Sequence, residues 1–232
     1  MIIIKISLNF LLCFVMTTCI SGQTLIGIKA GLNLSGFRNT YNESDYSGTY
    51  KSFPSYSFGI EIKGRKLKVI HFGGSVEYYR NYTNWQAFYG PMGGPMGQNI
   101  NYNIEWLRFS IFPELAFGNK VKFIFNLSPY VSIRVLSSMK GTSWIYSQSK
   151  TITENETGSA KDNITQLDIG FKENIGLGYS VLPFLVLSLE ENGSLGILPV
   201  NKTTDGTVKT KDICFFLCVS YIIPGNKSKE KK

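Results

Sequence analysis

Residues 105–135, EWLRFSIFPELAFGNKVKFIFNLSPYVSIRV, hold two runs in which large apolar side chains recur at every second position. In the first, Leu107, Phe109, Ile111, Leu115 and Phe117 alternate with Arg108, Ser110, Glu114, Ala116 and Gly118. In the second, Val121, Phe123, Phe125, Leu127, Val131, Ile133 and Val135 alternate with Lys122, Asn126, Ser128, Ser132 and Arg134. A period of two is that of a β-strand, and the Gly118-Asn119-Lys120 turn between the runs predicts an antiparallel hairpin. Each run exceeds an ordinary globular strand, with one face almost wholly apolar and the other holding charges and small residues. That is the pattern of a membrane-crossing β-hairpin.

The same alternation recurs along the 232-residue chain. A first strand sets Ile26, Ile28, Ala30, Leu32 and Leu34 against Gly27, Lys29, Gly31, Asn33 and Ser35. A second sets Tyr56, Phe58, Ile60 and Ile62 against Ser57, Gly59, Glu61 and Lys63. A third sets Ile70, Phe72, Val76 and Tyr78 against His71, Gly73, Ser75, Glu77 and Tyr79. The hairpin supplies the fourth and fifth. The sixth sets Leu167, Ile169, Phe171, Ile175, Leu177 and Tyr179 against Asp168, Gly170, Lys172, Asn174, Gly176 and Gly178. The seventh sets Leu185, Leu187, Leu189, Leu195 and Ile197 against Val186, Ser188, Glu190, Asn192 and Ser194. The eighth sets Ile213, Phe215, Leu217, Val219 and Tyr221 against Asp212, Cys214, Phe216, Cys218 and Ser220. Polar, aperiodic stretches at 38–54, 81–103 and 137–164 read as long loops, and 198–210 as a medium one. Short turns near Gly64-Arg65-Lys66, Gly118–Lys120 and Pro183 alternate with them. This alternation predicts an all-β, eight-stranded antiparallel up-and-down transmembrane β-barrel, with long loops outside and short turns in the periplasm.

Volume decides which face is outward. An eight-stranded interior is just wide enough to be filled by side chains, so it has no room for about five large apolar residues per strand. The apolar face therefore meets lipid, with Tyr78, Trp106 and Tyr179 as expected interfacial aromatics. The inward face holds Lys29, Lys63, Arg108, Lys122, Arg134 and Lys172 opposite Glu61, Glu77, Glu114, Asp168, Glu190 and Asp212, a pattern that predicts an interior salt-bridge network. Glu173 and Glu191 break the rule on the lipid side, and a bulge or a rim position is expected to account for them.

The apolar block 1–20, with Lys5 and the following Ser21-Gly22, reads as a secretory signal peptide cut before Gln23. The expected domains are the signal at 1–22, the barrel at 23–224 and a basic periplasmic tail at 225–232. Lys5 leaves too short an apolar core to favour an uncleaved anchor helix. Thr18 makes a poor lipoprotein site of Cys19. Cys214 and Cys218 share a strand face about 13 Å apart, whereas a disulfide needs Cα atoms within about 7 Å. His71 is the single histidine, so no zinc site and no Ser/His pair at the outer rim is expected. Glu43 and Asp45 read as solvated loop carboxylates. No catalytic, metal or cofactor-binding residue is predicted. The net charge of +8 owes part to the lysine-rich tail. Secretion and the lack of a basic helix argue against nucleic acid, and leave outer-membrane lipid as the expected partner.

A signal ending before Gln23, then GIKAGLNLSGF, FGGSVEYY, LRFSIFPELAFG, LSPYVSI and DIGFKENIGLGY before a closing strand, resembles the PorT-like outer-membrane β-barrel family of Bacteroidota. The resemblance spans nearly all of 23–224 and rests on inward glycines and on Pro113 in the fourth strand. It implies the barrel fold. Through the family's namesake it also implies a link to secretion and gliding machinery. Tyr221 is followed by Ile-Ile-Pro-Gly and the lysine-rich tail, a departure from the aromatic strand end usual in such barrels. The expected function is non-enzymatic, structural or surface-recognition. The partner would be a surface glycan or protein held through loops 38–54, 81–103 and 137–164. Tyr41, Tyr46, Tyr50, Trp85, Phe88, Tyr89, Trp144 and Tyr146 stack either on such a partner or on one another. A secretion or gliding component, a small pore and a barrel protease or acyltransferase are the alternatives.

Overall fold

The computed structural model describes residues 23–40, 46–65, 69–89, 96–147, 150–161, 163–201 and 207–224. The expected signal with Cys13 and Cys19, the basic tail, and Tyr41, Glu43 and Asp45 lie outside these residues. Nine strands form one antiparallel sheet. They are β1 (Gln23–Thr40), β2 (Tyr46–Arg65), β3 (Ile70–Tyr89), β4 (Met96–Phe117), β5 (Val121–Ser147), β6 (Lys150–Gly158), β7 (Leu167–Leu182), β8 (Leu185–Gly196) and β9 (Thr207–Ile223). Eight close a ring in the order β1-β2-β3-β4-β5-β7-β8-β9, sealed by β1 against β9. The ninth, β6, lies outside the ring and pairs with the far end of β5, Met139–Ser147. The eight-stranded barrel thus stands as expected, and the extra strand comes from the stretch 137–164, expected to be a loop, of which 137–147 and 150–158 are strand.

The ring fixes its own dimensions. Successive partners lead from Val121 through Tyr179, Leu187, Val219, Ile28, Ile60, Val76 and Phe109 to Val131, ten residues further along β5 (131 − 121). With strands about 4.8 Å apart and residues about 3.3 Å apart, this stagger tilts the strands about 40° and sets a backbone diameter of about 16 Å. Each residue along a strand then rises about 2.5 Å, and each step around the ring about 3 Å, along the barrel axis. On this scale the outward aromatics Phe117, Tyr179 and Tyr221 sit within about 4 Å of the level of Val121, and Tyr56 and Tyr78 lie at about 24–26 Å. The exposed side chains between them are overwhelmingly aliphatic or phenyl, among them Ile28, Leu32, Phe58, Phe123, Leu177, Leu189 and Leu217. Such a band, close to the 25 Å expected of an outer-facing apolar belt, makes this a transmembrane β-barrel.

Trp106 is not one of the interfacial aromatics. Its even number places it on the inward face of β4, where it is fully buried. Tyr78 does stand at the upper girdle, stacked on Phe58 and Tyr56 with ring centroids 4.8 and 6.3 Å apart.

Long strands replace much of the expected loops. β1 to β5 run 18 to 27 residues, whereas β7 and β8 run 16 and 12, so one wall of the barrel is tall and the other low. Strand therefore covers parts of 38–54, 81–103, 137–164 and 198–210. In this extension the pattern inverts. Trp85, Ile100, Tyr102 and Ile104 point inward and are buried, while Asn84 donates across the opposite face to Asn99 (2.6 Å) and Asn101 (3.0 Å). Above the girdle the outer face meets water, so polar residues belong there and apolar ones inside. A bulge at Val135, between the pairs Trp106↔Arg134 and Glu105↔Leu136, resets the parity of β5 where it leaves the lipid belt. Gly118 begins the hairpin turn at φ 112°, a backbone geometry that excludes most other residues.

A closed barrel of this kind resists detergent until heated. Purified protein run unheated in dodecyl sulfate is expected to migrate as a compact band that shifts on boiling. A single mobility under both conditions, with the protein recovered in the soluble fraction, would contradict the barrel in lipid.

Candidate functional site

The inward side chains bring four buried cations, Lys29, Lys63, Arg108 and Lys172, together with six buried carboxylates, Glu61, Glu77, Glu114, Asp168, Glu190 and Asp212. The sequence pairs twelve inward charges evenly, and the structure layers them. Near the short-turn end, Lys63 bridges Glu61 (2.8 Å) and Glu114 (2.6 Å), and Glu114 also meets His71 Nδ1 at 3.1 Å. At mid-height, Glu77 accepts from Lys29 at 2.6 Å, from Ser75 at 2.8 Å and from Lys172. Higher still, Arg108 donates to Asp212 (2.7 Å), Ser194 (3.0 Å) and Ser132 (3.2 Å). Its guanidinium lies between the rings of Tyr79 and Tyr130, 4.2 and 4.0 Å from their centroids, which attract it through their quadrupoles.

Two carboxylates exceed the buried cations, and each is held by neutral donors instead. Asp168 accepts from Tyr130 (3.1 Å) and Thr210 (2.8 Å), and Glu190 from Asn174 and Ser188, both at 2.8 Å. Lys122 and Arg134, which the sequence places in the same network, are half-buried at opposite ends of it. Arg134 donates to the carbonyl of Ile164.

Small residues make this packing fit. A Cβ on Gly170 would lie 2.6 Å from the Tyr130 hydroxyl, so the missing side chain is the space in which Tyr130 reaches Asp168. Cys214 and Cys218 are buried and unbridged, as their spacing predicts. Cys214 donates its thiol to Asn33 at 2.9 Å, and Phe216 between them packs under the Lys29 ammonium, 5.0 Å from its ring centroid.

Above the charges the lumen is closed by an apolar cap that the sequence did not announce. Phe37, Tyr79, Trp85, Ile100, Ile104 and Trp106 from the tall wall, with Val208 of β9, pack with Ala160, Ile164 and Val200. The last three come from the β6–β7 and β8–β9 connections. Those segments are stitched across the opening by Thr165 N to Val200 O and Val200 N to Val208 O, both 2.7 Å, and by an Ile164–Asn201 bridge. The regular spacing Ile100-x-Tyr102-x-Ile104-x-Trp106 was the available signal for this cap.

Of the expected recognition aromatics, Trp85 is buried within the cap, and the half-buried Tyr50 packs on it at 4.3 Å between ring centroids. Trp144 is half-buried, lying across Gly97. The side chains of Tyr41, Tyr46, Phe88, Tyr89 and Tyr146 lie outside the described residues. Glu173 and Glu191 face outward in unbroken register, so neither a bulge nor a rim position accounts for them. Among the described residues no group of three His, Cys, Asp or Glu side chains is placed to hold a metal ion.

No family model matches the chain, and no curated protein does. Among solved structures, the chain is similar in shape to the attachment invasion locus protein Ail of Yersinia pestis, at 13% identity and TM-score 0.41, over 87% of this chain and 99% of that one. It is also similar to the outer-membrane protein OprG of Pseudomonas aeruginosa, at 9% identity and TM-score 0.45, over 88% and 96%. A third is the outer-membrane protease OmpT of Escherichia coli, at 8% identity and TM-score 0.39, over 87% and 97%. These are distant likenesses, and the barrel rests on its own strand pairing.

Removing one partner of a buried pair leaves the other charge uncompensated, whereas removing both together costs less. Arg108→Met is therefore expected to lower unfolding stability by about 3–5 kcal/mol, measured by urea titration in lipid vesicles. Adding Asp212→Leu is expected to recover a large part of that loss. A double variant as unstable as the sum of its singles would show that the two side chains do not act as a pair.

Proposed function

We propose that the protein is a closed, non-enzymatic outer-membrane β-barrel that serves as a structural and recognition element of the cell surface. The observation that supports this is the packing of the lumen, in which three layers of paired charge lie beneath an apolar cap. The short turns and both ends of residues 23–224 lie on one side, which we assign to the periplasm. The tall wall then stands outside the cell, bearing the segments 38–54, 81–103 and 137–164 through which a surface glycan or protein would be held. The polar outer face of this wall suits such contacts, and its buried aromatics hold it rigid.

His71, the single imidazole, is tied to Glu114 at the short-turn end, far from the exposed wall, which supports a non-enzymatic role. A second reading, a component of a secretion or gliding complex, is favoured by β6. This strand pairs on one side only among the described residues, leaving a backbone edge for an added strand. The resemblance to PorT-like barrels agrees with that reading.

Conductance separates closed barrel from pore. Purified protein reconstituted in planar bilayers is expected to give a flat baseline across applied voltages. Sustained, uniform single-channel steps would overturn the closed reading.

A further inference from the structure

Between the two aromatic girdles, the outer face holds only two charged side chains among the described residues, Glu173 on β7 and Glu191 on β8. Glu173 is opposite Gly193 and Glu191 opposite Ile175, so the two carboxylates are diagonal neighbours on one face. Glu173 leans across Gly193, where an added Cβ would lie 2.8 Å from its Oε1. At the tilt derived above, Glu191 and Glu173 lie about 16 and 18 Å above Val121, some 8 Å beneath the upper girdle. Exposed Leu127, Phe171, Ile175, Leu189 and Phe215 surround them. Neither carboxylate makes a hydrogen bond or ion pair within the described residues.

Ionisable groups facing lipid are costly, and they mark places where a partner supplies the missing contact. We infer that the outer face of β7 and β8 is a lateral docking surface for another integral membrane protein, one presenting a lysine or arginine at this depth. Charge complementarity selects that occupant. A second copy of this chain does not fit, because its described outer belt offers no cation and a two-fold pairing would oppose like charges. The two strands are also the shortest of the ring, so the tall wall does not overhang a neighbour placed against them. This inference rests on the membrane placement proposed above.

The test is photo-crosslinking in cells that natively make the protein, with the probe at Leu189 beside the carboxylates or at Ile60 on the opposite wall. The Leu189 probe is expected to give a discrete protein adduct whose attachment point neighbours a basic residue of the partner. That adduct should fall at least tenfold in the Glu173→Gln/Glu191→Gln protein, and equally in Glu173→Leu/Glu191→Leu, which the bilayer accommodates more readily. The Ile60 probe is expected to give lipid adducts alone. Lipid adducts alone at Leu189, an adduct with a second copy, or a protein adduct indifferent to both substitutions would each overturn the docking surface. Absence of lipid adducts at both positions would overturn the membrane placement as well.

Discussion

Eight strands staggered by ten residues leave about 16 Å between opposite backbone walls, and inward side chains consume most of that width. A lumen so narrow does not admit enough water to solvate its charges, so each must find its partner among the other inward residues. The rest of the structure follows from this constraint. Lys63 joins Glu61 to Glu114, Glu77 gathers Lys29 and Lys172, and Arg108 reaches Asp212 from between two tyrosine rings. Asp168 and Glu190, which form no ion pair with a buried cation, are held by hydroxyl and amide donors. Glycines such as Gly170 supply the room these long side chains need.

The outer face of the molecule meets two environments at two levels, and its alternation changes meaning between them. Within the belt, apolar residues point out to lipid and charges point in. Above the belt, the same strands continue into water, so Asn84, Asn99 and Asn101 point out while Trp85, Ile100 and Ile104 point in. The bulge at Val135 marks this boundary on β5. The apolar cap follows from the inversion: an extended wall has to bury its inner face, and Ala160, Ile164 and Val200 fold over to cover it.

That inversion also explains what was legible in the sequence. Inside the belt, parity assigned the inward charges, the unbridged Cys214 and Cys218, and the outward Leu107, Phe109 and Phe125, because one face was uniformly apolar over many residues. Beyond the girdle the stretches 38–54, 81–103 and 137–164 read as loops, since polar residues take the outer positions and no long apolar face remains. Trp106 was misplaced on the lipid side although its own parity put it inside, and the depth of burial of Trp85 and Tyr50 depends on segments distant in sequence. Glu173 and Glu191 were correctly read as outward, and their isolation on that face emerged only from the strand register.

The central claim is that one face of these strands meets lipid while the other is sealed from both lipid and water. Spin labels placed singly at successive positions of β5 from Val121 to Ile133, in vesicles, test it through collision with oxygen and with a water-soluble nickel complex. The account predicts high oxygen and low nickel accessibility at the odd positions, and low accessibility to both reagents at the even ones. High nickel accessibility at Ser128, Tyr130 and Ser132 would mean a water-filled lumen and would contradict it.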